Sequence, residues 1–250
     1  MDEPGSVARL RARYVAGVGA TALQVLDEGR TPAKAEELAL LAGAYADAEV
    51  AAWRARPDAP TGLACRSGCS HCCHAPIGVA IPEAVLIASV LREESTDDEL
   101  AALLGRAEGA EVARSGLVGI ARERSRHPCP LLDEGDGSCS LYEFRPLVCR
   151  GWNSLDAGRC EAYFDDPSGT STIPIDGVQR EIPDAIAAGV RAGLAARGLE
   201  DATVDLAVAL RILLEDPEAV DRWLAGDPAF REAEVPPSRD ESLAEGPRPS

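Results

Sequence analysis

Four cysteines fall within nine residues of this 250-residue chain, in the run Cys65-Arg-Ser-Gly-Cys69-Ser-His-Cys72-Cys73-His74. A hydrophobic core has no use for four thiols so close together, whereas a soft metal does. Thiolates bind zinc, iron or an iron–sulfur cluster strongly, and short spacers let one loop wrap several of them around an ion. The remaining cysteines, Cys129, Cys139, Cys149 and Cys160, and all three histidines share the same window, residues 65–160. Segregation of every soft donor into one stretch marks the chain as metal-binding.

The spacings say how the donors can be used. Three and two residues separate Cys65, Cys69 and Cys72, so one turn-rich loop can aim three sulfurs at one point. Gly68 supplies the positive φ that such a loop needs. Cys73 follows Cys72 directly, and adjacent side chains diverge, so either the pair serves two metals or only one of them binds. Cys129, Cys139 and Cys149 lie too far apart to form a finger on their own, and the fold must bring them to the first group. Cys160 stands another eleven positions on. Eight cysteines can fill two tetrahedral sites, or one polynuclear cluster with ligands to spare. His71 and His74 can add imidazole donors, while His127 is a neighbour of Cys129 and not a ligand. Arg145 and Arg150 can offset the negative charge of a thiolate set and donate to sulfur; the alternative for them is an ion pair with Glu143. Tyr142 and Trp152 are expected to pack around the site.

The formal charge of −17 argues against nucleic acid or an anionic membrane surface as partner, since both require clustered Lys and Arg. Arg9, Arg11 and Arg13 before an apolar stretch faintly imitate a signal peptide, but glycines and acids interrupt the pattern, so an amphipathic first helix is expected. No stretch approaches the roughly 20 apolar residues of a membrane span. A cytoplasmic location follows as the expectation, with thiols reduced and free for metal rather than paired in disulfides.

Apolar periodicity predicts a mainly α chain: helices over 5–27 and 32–56, the second opened by Thr31 and Pro32. A short strand is expected at 77–81, then a helix from Pro82. A further helix begins at the Thr96/Glu99 capping box and runs toward Arg124. Residues 128–142 read as an extended segment, a turn at Glu134–Gly137 and a strand pairing back. Helices resume at 183–197 and 203–215, with a short one from Pro217 to Leu224. The reading is a single helical domain over 1–230 that holds an irregular cysteine-rich metal site at about 60–160 with a few short strands. A disordered tail is expected over 231–250.

At the cysteines the chain resembles the YkgJ-type cysteine-cluster (CxxCxxCC) family of zinc- or iron-chelating domains. Cys65-x-x-Gly-Cys69-x-x-Cys72-Cys73 carries one half of the likeness. Cys129-Pro-Leu-Leu carries the other half, with Gly137-x-Cys139-Ser-Leu-Tyr142-Glu-x-Arg145-Pro146-Leu-x-Cys149-Arg150. The shortest form of the family motif has two residues between its first cysteines; here there are three, which bears on Cys65. The resemblance implies zinc or iron as the bound metal. Some members are similar to flagellin lysine methylases, an activity of longer or differently equipped proteins.

The expected partner is thus a metal ion, zinc or iron, in a mononuclear site or an iron–sulfur cluster, with the eight cysteines as candidate ligands. The alternative function is an iron–sulfur enzyme, radical S-adenosylmethionine-like or flagellin methylase-like, because Cys65-x3-Cys69-x2-Cys72 also satisfies the three-cysteine signature of radical enzymes. A thiol switch that releases metal on oxidation is a third possibility.

Overall fold

A computed structural model describes residues 4–166 and 171–235. The chain is mainly α. Two long helices, α1 (Pro4–Glu28) and α2 (Pro32–Arg54), precede the cysteine run. Thr31 caps α2 as expected, its side chain accepting from Lys34 N at 3.3 Å. After the run come α3 (Ile81–Glu94) and α4 (Asp97–Arg114), the latter opened by the Thr96/Glu99 box. Next are the short α5 (Gly119–Glu123), α6 (Leu147–Gly151) and α7 (Ala157–Asp165). The chain then builds α8 (Gly177–Ala196), α9 (Leu206–Glu215) and α10 (Ala219–Ala225).

The tightest helix pair is α1 on α8, and small residues set its approach. A Cβ on Gly193 would lie 2.4 Å from Ala22 Cβ, and one on Gly189 would lie 2.7 Å from Val18 Cβ. Absent side chains on α8 thus let the two backbones close, while Val18, Ala22, Ile186 and Val190 seal the seam. The opposite face of α8 meets α2 and α6, and α9 packs between α3 and α4. One continuous apolar core runs through these helices, ending at Trp223 and Phe230, whose rings meet edge-on at 6.3 Å.

The strands are two residues long. β1 (Gly78–Val79) pairs antiparallel with β4 (Val204–Asp205). β2 (Leu132–Asp133) pairs with β3 (Ser138–Cys139), placing Leu132 opposite Cys139. The second pair is the expected hairpin around Glu134–Gly137.

Several boundaries differ from expectation. The helix from Thr96 stops at Arg114 instead of running toward Arg124, because Gly116 and Gly119 take left-handed φ values of 72° and 55°. α8 starts at Gly177, six residues before the expected start at 183. The Asp176 side chain accepts from Val178 N and Gln179 N at 3.0 and 3.1 Å, and Pro183 sits inside the helix. The helix expected from 203 begins at Leu206, its preceding residues being β4. α6 and α7 arise where irregular chain was expected.

The packed chain also extends past residue 230. A 3-10 turn spans Arg231–Ala233, Ala233 is buried, and Val235 N donates to Thr203 O at 2.8 Å. The rest of the expected tail, 236–250, lies outside the described residues. Among the described residues no helix is long and apolar enough to cross a membrane.

Candidate metal centre

The cysteine run leaves the foot of α2 through a loop fixed where Ala64 N donates to Ser154 O at 2.8 Å. Gly68 has φ 78°, as its place in the loop predicts, and a turn closes there by Cys69 N to Arg66 O at 3.1 Å. His71–His74 then form a 3-10 turn, with Cys73 N bonded to Ser70 O at 2.9 Å. The chain's second cysteine group reaches this loop by direct backbone contact. Cys129 N donates to Cys73 O at 2.7 Å. Gly137, at the hairpin tip with φ 74°, lies so close to the loop that a Cβ there would stand 2.8 Å from Gly68 O.

Cys149 arrives on α6. A buried carboxylate aims that helix: Glu83 accepts Leu147 N at 2.7 Å through one oxygen and Ala80 N at 2.8 Å through the other. One side chain thereby terminates the orphan N–H groups of both α3 and α6. Burial pushes the Glu83 carboxyl above the ordinary carboxylate range. Sequence reading missed Glu83; the signal was a Glu three positions into a helix that opens with proline.

The thiols, all unpaired, sort into two sets. Cys73, Cys129, Cys139 and Cys149 form the inner set, each within electrostatic reach of the other three. Cys129, Cys139 and Cys149 pack against the apolar core. Burial is the first reason that Cys129 is pushed up to about 12 and Cys149 well above its usual range; neighbouring thiols add to both. Cys139 is raised for the same two reasons, and Arg145 opposes the rise. Arg114 acts likewise on Cys129.

Cys73 differs: its thiolate accepts a hydrogen bond from the Cys72 thiol, which lowers it to about 7 and holds the Cys72 proton in place. The outer set begins at Cys72, which is raised further by Cys149 of the inner set and then by Cys69. Cys65 is raised by lost hydration at its sulfur and then by Cys69 and Cys160. Cys65 and Cys72 are exposed. Backbone contacts set the loop of Cys65–Cys73 against Cys129 and against the hairpin that carries Cys139, and α7, which carries Cys160, lies against the 3-10 turn.

The surrounding residues partly depart from expectation. Arg145 stacks over Tyr142 at 4.2 Å, and its buried Nε has no hydrogen-bond partner. Trp152 Nε1 is likewise buried and unpartnered. Arg150 takes neither role foreseen for it. It donates to the carbonyls of Arg145 and Glu143 at 2.9 and 2.7 Å and pairs with Asp47 of α2, so it clamps the Arg145 turn to the helical body. The expected ion pair with the Glu143 carboxylate is replaced by a bond to its backbone. Tyr142 is 62 % exposed, so it covers Arg145 rather than packing into the site. His71 and His74 turn their rings to Phe164 of α7 at 5.5 and 5.1 Å. His127 Nδ1 lies 3.2 Å from Pro128 O.

Among the described residues, no three Cys, His, Asp or Glu side chains already stand at metal-holding spacing. Donor type and placement nevertheless fit a thiophilic ion. Four thiols gather beside two arginines, one of which carries a buried N–H that lacks an acceptor.

Residues 64–163 match the CxxCxxCC family, described as "Putative zinc- or iron-chelating domain". That stretch, from the residue before Cys65 to just beyond Cys160, is similar to the family its motifs resemble. No curated protein and no solved structure matches the chain.

Proposed function

We propose that this protein chelates zinc or iron through the inner thiols of Cys73, Cys129, Cys139 and Cys149, in a reducing compartment such as the cytoplasm. One observation carries the reading: thiols from three separate chain segments converge, and the Cys129 N–Cys73 O bond joins the two longest-separated halves of the set. In water, four neutral thiols gain nothing by clustering beside guanidinium groups. Four thiolates around a divalent cation do, because the cation offsets their charge and the arginines temper the excess. Metal binding draws the sulfurs from their present spacing into a tetrahedron and expels their protons.

An iron–sulfur cluster on the same thiols is the second reading, since a cluster also takes four cysteine ligands. The radical-enzyme version expects the three-cysteine motif after the first strand of an alternating strand–helix fold. Here α1 and α2 precede the motif, and the described strands are two residues long. That arrangement favours a chelating domain.

Elemental analysis of anaerobically purified protein, with an absorption spectrum, tests the reading. Bound zinc with no visible colour supports a zinc site; iron with equimolar sulfide and a brown colour supports a cluster. Cys149→Ser should lose the metal in either case. A Cys149→Ser protein that stays fully loaded would overturn the assignment.

A further inference from the structure

Metal binding makes no use of the arginines at the start of α1. Arg11 pairs with Glu181 of α8 at 2.7 Å. Arg9 and Arg13, one turn apart on a shared face of the helix, instead line a cavity of about 370 Å³ where α1, α2 and α8 meet. Leu10, Trp53 and Ile182 give this cavity apolar walls, and Arg56 brings a third guanidinium. Against three arginines stands one lining carboxylate, Glu49, and two neighbours already hold it. Tyr14 Oη donates to one of its oxygens, and the Arg13 guanidinium lies 3.4 Å from the same atom. Arg13 also sits over the Tyr14 ring at 4.8 Å, so two contacts set where its charge lies. Trp53 is fixed as well, its Nε1 donating to Asp176 Oδ2 at 2.6 Å. Arg56, paired with Asp58, lies over the Trp53 ring at 5.3 Å. Arg9 has no ion-pair partner among the described residues.

We propose that this cavity binds a small organic anion with a flat apolar body, an aromatic carboxylate. Like charges four residues apart on a helix repel, and an anion seated between Arg9 and Arg13 relieves that repulsion. A chain of net charge −17 disfavours anions overall, so a hollow with three cations and one acid is a local exception. Guanidinium takes a carboxylate through paired N–H groups, while Leu10, Trp53 and Ile182 suit the ring. Glu49 limits the charge the cavity accepts, which favours a carboxylate over a doubly charged phosphate. Small-molecule sites are usually of this kind, about 300–1,000 Å³, mostly apolar and with a few placed polar groups. No cysteine is among the described residues that line the cavity, so this reading is independent of metal binding.

Calorimetric titration of the reduced full-length protein at low salt tests the proposal with probes of one shape and different charge. These are 2-naphthoate, 2-naphthalenemethanol and 2-naphthylmethylammonium. Naphthoate should bind one equivalent, about tenfold or more tighter than the alcohol, and the ammonium should bind more weakly still. A merely apolar hollow on so acidic a chain would give the opposite order of charge. Arg9→Gln/Arg13→Gln should weaken naphthoate by about tenfold or more and leave the alcohol unchanged. Both arginines are exposed, so the thermal midpoint of this variant should match wild type. Ala52 lines the cavity from an exposed position on α2, and Ala52→Trp should fill the space and abolish naphthoate binding. Wild type that ignores naphthoate, or takes the alcohol or the ammonium as tightly, would overturn the proposal. So would either variant that binds naphthoate as wild type does.

Discussion

The main chain of Cys129 is hydrogen-bonded to that of Cys73, N to O, at 2.7 Å across 55 intervening residues that include all of α3, α4 and α5. A backbone bond fixes Cα positions more tightly than any side-chain contact, so the two cysteine groups are registered to each other before metal arrives. What metal has left to do is local, namely to turn side chains and remove protons.

Arg145 offers the sharpest separation of metal binding from folding. Its buried Nε lacks an acceptor and its charge bears on Cys139. Arg145→Gln should leave apoprotein stability in urea unchanged or slightly raised, since an unpartnered buried donor is removed. Zinc affinity, measured by chelator competition, should fall by about 10- to 100-fold, as is typical for residues that support metal ligands.

Gly137 holds the hairpin against the cysteine loop. Alanine there meets both a positive φ and the Gly68 carbonyl at 2.8 Å. Gly137→Ala should therefore push the hairpin away and carry Cys139 with it. A cost of about 1–3 kcal/mol is the general range for such strain, so zinc competition should show a loss of tenfold or more.

The raised thiols set a pH dependence in two directions. In the metal-free protein, the folded chain keeps protons on Cys129, Cys139 and Cys149 that the unfolded chain loses near pH 9. The folded state then binds more protons than the unfolded one, and its stability falls as pH rises. The window opens near 9 and for Cys129 closes near 12. Urea midpoints of apoprotein should drop between pH 8 and pH 10. Zinc affinity should move the other way, rising from pH 6 to pH 8 as protons compete less with metal.

The α1–α8 seam is a prediction about the scaffold alone. Gly193→Leu places a side chain where even a Cβ would stand 2.4 Å from Ala22. Overpacking of this kind costs about 1–3 kcal/mol or more, so the thermal midpoint should fall by several degrees. Zinc bound per folded molecule should be unchanged, because no ligand lies on either helix.

The helical class, the capping signals at Thr31 and Thr96 and the hairpin were legible because each rests on local spacing. Chemistry was legible for the same reason: four thiols in nine residues have few other uses. The helices α6 and α7 were not: they are five and nine residues long, proline and glycine neighbours disguise them, and tertiary contacts hold them in place. Glu83 escaped notice because its partner, Leu147 N, is remote in sequence. Arg150 was misread for the converse reason. Its neighbour Glu143 suggested an ion pair, whereas distant Asp47 and two carbonyls claim it.

X-ray absorption at the zinc edge, on reduced protein loaded with one equivalent of zinc, addresses the inner quartet most directly. An all-sulfur shell of four scatterers at about 2.3 Å is the result this account predicts. A shell dominated by nitrogen or oxygen, or zinc that gel filtration strips away, would contradict it.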